Sequence, residues 1–161
     1  MPEPMPLSQF LAGPAAELPS AGGPAVLGAL PADAAQFGGI RYTAPAAYVV
    51  RELRGDRMRT VAGLFDEFAA AFQFPYYFGA NKDAFDECLR DLDDFVGEAP
   101  GYVAAVRDAD GLLAEVPTER EWFTAAVTDA AAYWHRREVA FRVVLQGPGT
   151  GFPAIPLIDR S

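Results

Sequence analysis

The 161 residues are enough for one domain with a substantial core and too few for two of ordinary size. A hydrophobic share of 51% with 12% aromatics belongs to a folded globular chain and excludes a disordered one. With 13 basic against 22 acidic residues the formal charge is -9, which argues against direct contact with nucleic-acid phosphates or an anionic membrane surface. The partner such a charge attracts is a basic protein, steered in by the long-range field.

Residues 1 to about 46 are rich in Pro, Ala and Gly, with short apolar islands at Leu7, Phe10 and Leu11 and at Val26, Leu27 and Leu30. The pattern predicts an N-terminal arm lying against the main body, with a short helix at Leu7–Leu11; a disordered leader is the competing reading. Gly38 to Pro45, GGIRYTAP, predicts a turn followed by extended chain. The first residues lack the basic n-region and unbroken apolar stretch of a signal peptide, and no run approaches about 20 apolar residues. A cytoplasmic location is therefore expected.

The main domain is expected over residues 47–146. Ala47 to Leu53 is a β-branched strand ending in the turn signal Arg54-Gly55-Asp56. Thr60 can cap a helix whose apolar face is Val61, Leu64, Phe65, Phe68 and Phe72, ended by Pro75. The next helix is predicted from about Asn81 to Phe95. Phe85, Cys88, Leu89, Leu92 and Phe95 form its apolar stripe. Asp83, Glu87, Asp91 and Asp94 recur at steps of four, four and three and share another face, widened by Asp86 and Asp93.

Gly101 to Ala109 reads as a second, buried strand, and Thr118-Glu119-Arg120-Glu121 as a capping box opening a helix through about Arg136. Val139 to Leu145 is the third strand, and residues 147–161 are expected as a C-terminal tail. Strands alternating with helices imply a parallel sheet with helical crossovers, an α/β fold.

Few residues offer catalytic chemistry. Asp83 and Glu87, one helical turn apart, could serve as acid and base, although such pairs are far more often solvated surface charge. His135 is the sole histidine, which leaves no convincing nucleophile–base arrangement. The single cysteine, Cys88, excludes an internal disulfide and sits on an apolar stripe, where an inert thiol is expected. Gly147 to Gly151 lacks the Lys-Ser/Thr ending of a phosphate loop, and Asp91, Asp93 and Asp94 lack the glycine and glutamate of a calcium hand. No catalytic residue, metal or cofactor is expected. What remains is the acidic helix as a binding surface, introduced by Tyr76, Tyr77 and Phe78, residue types suited to an interface.

The stretch FPYYFGANKDAFDECLRDL, residues 74 to 92, resembles the barstar family, intracellular inhibitors of secreted barnase-type ribonucleases. Pro75, Tyr77, Phe78, Gly79, Asn81, Asp83, Ala84, Glu87, Cys88 and Leu89 fall in register with the family pattern, and the resemblance extends over about residues 47 to 146. It implies three parallel strands with helices packed on them, and a mechanism without catalysis. In the family the acidic helix and the loop before it plug the ribonuclease active site, with carboxylates where RNA phosphate would bind.

Carried over, Asp83 and Glu87 would pair with the enzyme's arginines and active-site histidine, while Tyr77 and Asn81 would line the edge. Phe78, Gly79, Asp86 and Asp91 complete the candidate partner-binding set. Three positions depart from the pattern: Glu87 is a methylene longer than the family's aspartate, Asp86 stands where an aromatic is common, and Lys82 replaces Leu or Trp. Lys82 adds a positive charge that is expected to weaken attraction to a basic enzyme. A free monomer and a cognate ribonuclease or nuclease toxin divergent from barnase are expected. The alternatives are a non-inhibitory binding module on the same scaffold and, below it, an enzyme using Asp83 and Glu87.

Overall fold

The computed structural model describes residues 4–12 and 26–159. The remaining parts of the expected arm and tail, 1–3, 13–25 and 160–161, lie outside the described residues. The expected strands are β3 (Val49–Arg54), β4 (Gly101–Arg107) and β5 (Ala140–Gln146). β4 pairs in parallel with both of the others, as the alternation of strands and helices requires.

The sheet has six strands rather than three, in the order β1-β6-β2-β5-β4-β3, and every pairing is parallel. The added strands are β1 (Met5–Pro6), β2 (Leu27–Leu30) and β6 (Ile155–Ile158), drawn from the stretches expected as arm and tail. LGAL and IPLI are too short to carry a visible strand period. LGAL becomes a strand because the edge of β5 offers backbone partners: Val143 donates to the Val26 carbonyl at 2.7 Å, and Gly147 to that of Leu30 at 2.9 Å; IPLI then pairs with β2 on one side and β1 on the other.

Side chains alternate across the sheet. Tyr102, Ala104, Val106, Phe141, Val143 and Leu145 enter one core, and Val103, Ala105 and Val144 enter another. The first core is covered by α4 (Val61–Ala71), α5 (Lys82–Leu89) and α7 (Arg120–His135), with Phe68, Phe85 and Phe123 fully buried. Thr60 caps α4, its hydroxyl accepting from the Gly63 amide at 3.1 Å. The second core is covered by short pieces: α1 (Leu7–Ala12), α2 (Ala34–Phe37) and α3 (Ile40–Thr43). There GGIRYTAP folds as a helical turn instead of extended chain, because burying Ile40 fixes it against the sheet.

Two helix expectations are corrected. The acidic helix is not continuous to Phe95: α5 stops at Leu89 and α6 (Leu92–Val96) begins after Asp91. In an unbroken helix the Leu89 carbonyl would receive the amide four residues on. Here it receives the Trp134 indole N–H from α7 at 2.8 Å, and the Arg90 and Asp91 amides tighten onto Glu87 and Cys88. At α7 the capping box does not form. A 3-10 turn at Pro117–Glu119 leads into the helix without a side-chain cap, and Glu119 points to another partner.

Candidate functional site

Loop 75–80 and α5 bring the expected residues onto one stretch of surface but give them different tasks. The loop begins with Phe74 and Phe78 packed edge-on, 5.2 Å between centroids, and Phe78 also meets Phe65 of α4 at 5.7 Å. Phe78 is thereby half-buried in the seat of the loop, not displayed. Tyr76 and Tyr77 point the other way. Tyr76 is fully exposed and Tyr77 is 71% exposed, with their rings 5.7 Å apart and nearly perpendicular. Two bare phenol rings side by side are costly to hydrate and suited to being covered.

The turn into α5 is set by backbone demands. Ala80 adopts φ 48°, a left-handed conformation that turns the chain sharply. At Gly79 a Cβ atom would lie 2.9 Å from the Asn81 amide nitrogen, closer than side chains tolerate. That approach lets Asn81 cap the helix: its side-chain oxygen accepts from the Ala84 amide at 2.8 Å, and its nitrogen donates to the Gly79 carbonyl at 3.4 Å. Asn81 is exposed, yet its amide oxygen is already engaged in holding α5.

Asp83 and Glu87 are both exposed, and their spacing of four places them one turn apart on the same side of α5. Asp83 lies in the first turn, where a carboxylate complements the positive end of the helix dipole. The break after Leu89 separates Asp91 and Asp94 from this face. Asp91 remains exposed at the start of α6; partial desolvation of its carboxyl, with Asp94, Asp93 and Glu87 adding repulsion against Arg90's attraction, raises its pKa from the usual aspartate value.

Asp86 does not widen the exposed face. It is partly buried toward α7, and its Oδ1 finds no hydrogen-bond donor among the described residues. Burial raises its pKa; Arg90 opposes that shift, while Asp129 of α7 and then Asp83 reinforce it.

Lys82, expected as a free charge beside the carboxylates, is instead engaged. Its Nζ lies 2.6 Å from Oε2 of Glu119 and 5.0 Å from the centroid of the Trp122 ring. Its charge is thus balanced within the protein. Trp122 and Glu119 are the residues that sequence reasoning missed here. Trp122 carries no motif of its own in the sequence, and Glu119 belongs to the capping box that does not form.

The remaining chemistry is structural. Cys88 is buried, and burial, with Asp91 and Glu87 nearby, pushes its thiol up to about 11, so it is not a ready nucleophile. His135 is exposed at the end of α7. Among the described residues no group of three or more His, Cys, Asp or Glu is placed to hold a metal ion. An open groove of about 660 Å³ runs along α7, lined by residues including Arg120, Glu121, Thr128 and Asp129; neither Asp83 nor Glu87 lines it.

A family model described as Barstar (barnase inhibitor) matches residues 48–146. No curated protein matches the chain.

Proposed function

The chain belongs to the Barstar family, and on that premise we propose that it is an immunity-type inhibitor that blocks the active site of a basic ribonuclease. Family membership carries barnase-inhibitor-type function, and the proposed action is occlusion without catalysis. The observation that carries the finer reading is the pairing of exposed Asp83 and Glu87 on α5 with exposed Tyr76 and Tyr77 in the loop before it. Two carboxylates one turn apart can meet two cationic groups of a phosphate-binding cleft, and the tyrosines supply contact area at the rim.

In this reading Asp83 and Glu87 pair with arginines and the active-site histidine of the enzyme, and Tyr77 lies along the edge. Asn81 contributes by holding the first turn of α5, with Gly79 permitting that contact and Phe78 seating the loop. Asp91 lies at the periphery, and Asp86 acts from beneath the surface. A charge of -9 steers a basic partner toward the chain and away from RNA. The proposed setting is the cytoplasm, with the free protein a monomer and the target a ribonuclease or nuclease toxin of the host cell. No helix among the described residues is long and apolar enough to cross a membrane.

The test is inhibition of a panel of basic ribonucleases, beginning with barnase, by the wild-type chain and by Asp83→Ala combined with Glu87→Ala. Truncating a desolvated interfacial carboxylate costs about 2–5 kcal/mol, a range that measurements on the family's own barnase–barstar pair helped to define. The double variant is expected to lose inhibition while keeping its fold. Equal inhibition by both proteins would remove these residues from the contact. Tight binding of the wild type without inhibition would favour a binding module on the same scaffold.

A further inference from the structure

Lys82 is the only lysine of the chain and occupies the first position of α5. A cation there opposes the positive end of the helix dipole, so the position is unfavourable unless the charge is balanced. Its partners come from the start of α7. The ammonium reaches Glu119 at 2.6 Å and lies over the Trp122 ring at 5.0 Å. Trp122 packs against Phe85 of α5 at 5.5 Å and Phe65 of α4 at 6.0 Å, so the lysine is joined to the rings that seat α5. The far end of α5 is held by Trp134 through the Leu89 carbonyl.

As a source of stability this ion pair is minor. The two side chains are 45% and 30% exposed, and pairs of that kind contribute about 0–1 kcal/mol. Its effect is local orientation: with the Asn81 cap and the buried Phe85 it fixes the outward side of the first turn. The geometry points to Lys82 as a positioning residue: a strut to Glu119 and Trp122 that holds the first turn of α5, and with it Asp83, in the orientation that a basic partner meets. This inference rests on the inhibitor reading for its consequence, though not for the existence of the strut.

A free cation and a strut predict different outcomes for Lys82→Met. Removing a free cation beside the carboxylates speeds association with a basic enzyme and tightens binding. Removing a strut makes the charge more negative as well, so association rises in either case, but it also raises dissociation.

The experiment measures both rate constants with barnase for wild type, Lys82→Met, Glu119→Gln and Lys82→Arg. Amide exchange at Ala84 and Phe85 is followed in the same proteins without the enzyme. Those amides donate to the Asn81 side chain at 2.8 Å and the Asn81 carbonyl at 2.9 Å, so they report directly on the first turn. Lys82→Met and Glu119→Gln are each expected to raise exchange there about threefold and dissociation by a similar factor. Lys82→Arg, which keeps both the ion pair and the ring contact, is expected to restore both.

Faster association with unchanged dissociation in Lys82→Met, or weakening that Lys82→Arg fails to restore, overturns the strut. Unchanged exchange does the same. If the wild-type chain binds neither barnase nor any ribonuclease of the panel, the inhibitor reading fails, and the exchange measurement alone decides whether the strut exists.

Discussion

The N-terminal flank and the loop leading into α5 are made of similar residues used in opposite ways. Both set aromatics among Pro, Gly and Ala. In the flank, Leu7, Phe10, Leu11, Leu30, Phe37 and Ile40 are at most 1% exposed. In the loop, Tyr76 and Tyr77 are bare while Phe74 and Phe78 turn inward. The flank is also pinned by polar links from the sheet side: Arg142 Nε donates to the Phe10 carbonyl and the Tyr48 hydroxyl to that of Leu11, each at 3.1 Å. The loop is held by the Asn81 cap, with Lys82 bracing the helix behind it. In the flank the apolar residues are almost wholly buried, whereas loop and α5 bury only their inner side, Phe74, Phe78, Phe85 and Leu89, and leave the proposed contact surface bare.

The largest effect expected from this contrast lies in the flank. Phe10→Ala should lower unfolding free energy by about 3–5 kcal/mol, the same as Phe123→Ala in the core on the opposite face. Denaturant unfolding of both variants checks it, and inhibition per folded molecule should be unchanged for Phe10→Ala. A loss below about 1 kcal/mol would mean that the flank merely lies on the sheet.

On the α5 side, Asn81→Ala should cost about 1 kcal/mol of stability by removing the cap, and should also weaken inhibition. Asn81→Asp keeps a capping oxygen and should recover most of the stability. Thermal unfolding beside inhibition assays separates the cap from any direct contact; loss of inhibition with unchanged stability would make Asn81 a contact residue first.

A smaller effect is expected at Asp86. Its carboxyl holds a proton more tightly folded than unfolded, so between the ordinary aspartate pKa and the raised one the folded state binds more protons. The group's contribution to stability falls as pH rises through that window and stays lower above it. Asp86→Asn should raise stability at neutral pH by less than about 1 kcal/mol, since solvent still screens a group that is only partly buried. The gain should vanish below the window. Unfolding free energies measured at acid and neutral pH decide it, and a gain independent of pH would point to packing instead.

Least change is expected at Cys88. With its thiol pushed up to about 11, iodoacetamide at about pH 8 should leave the native protein almost unmodified and label the unfolded chain readily. Rapid native labelling would place this side of α5 in solvent and erase the contrast between its two faces.

Local pattern was sufficient for β3, β4 and β5, for α4 with its Thr60 cap, and for the buried stripe of Phe85, Cys88 and Leu89. These features depend on side-chain period or on hydrogen bonds within a few residues, both written in neighbouring positions. The motif from Pro75 to Leu89 was legible for the same reason, since its aromatics, glycine and carboxylates are consecutive, but Asn81 was expected as an edge contact and is the cap of α5.

What consecutive residues could not encode was settled by distant partners. β2 is a strand because the edge of β5 lies beside it, β6 because β2 does, and α5 ends at Leu89 because Trp134 takes its carbonyl from 45 positions away. Asp86 looked like one more exposed carboxylate until α7 covered it, and Lys82 looked like a free charge until Glu119, 37 positions on, neutralised it. Sequence by itself determined which residues could form strands, caps and an acidic turn. Only tertiary structure decided which carboxylates remain in solvent, because exposure depends on what packs alongside a helix and not on the order of residues within it.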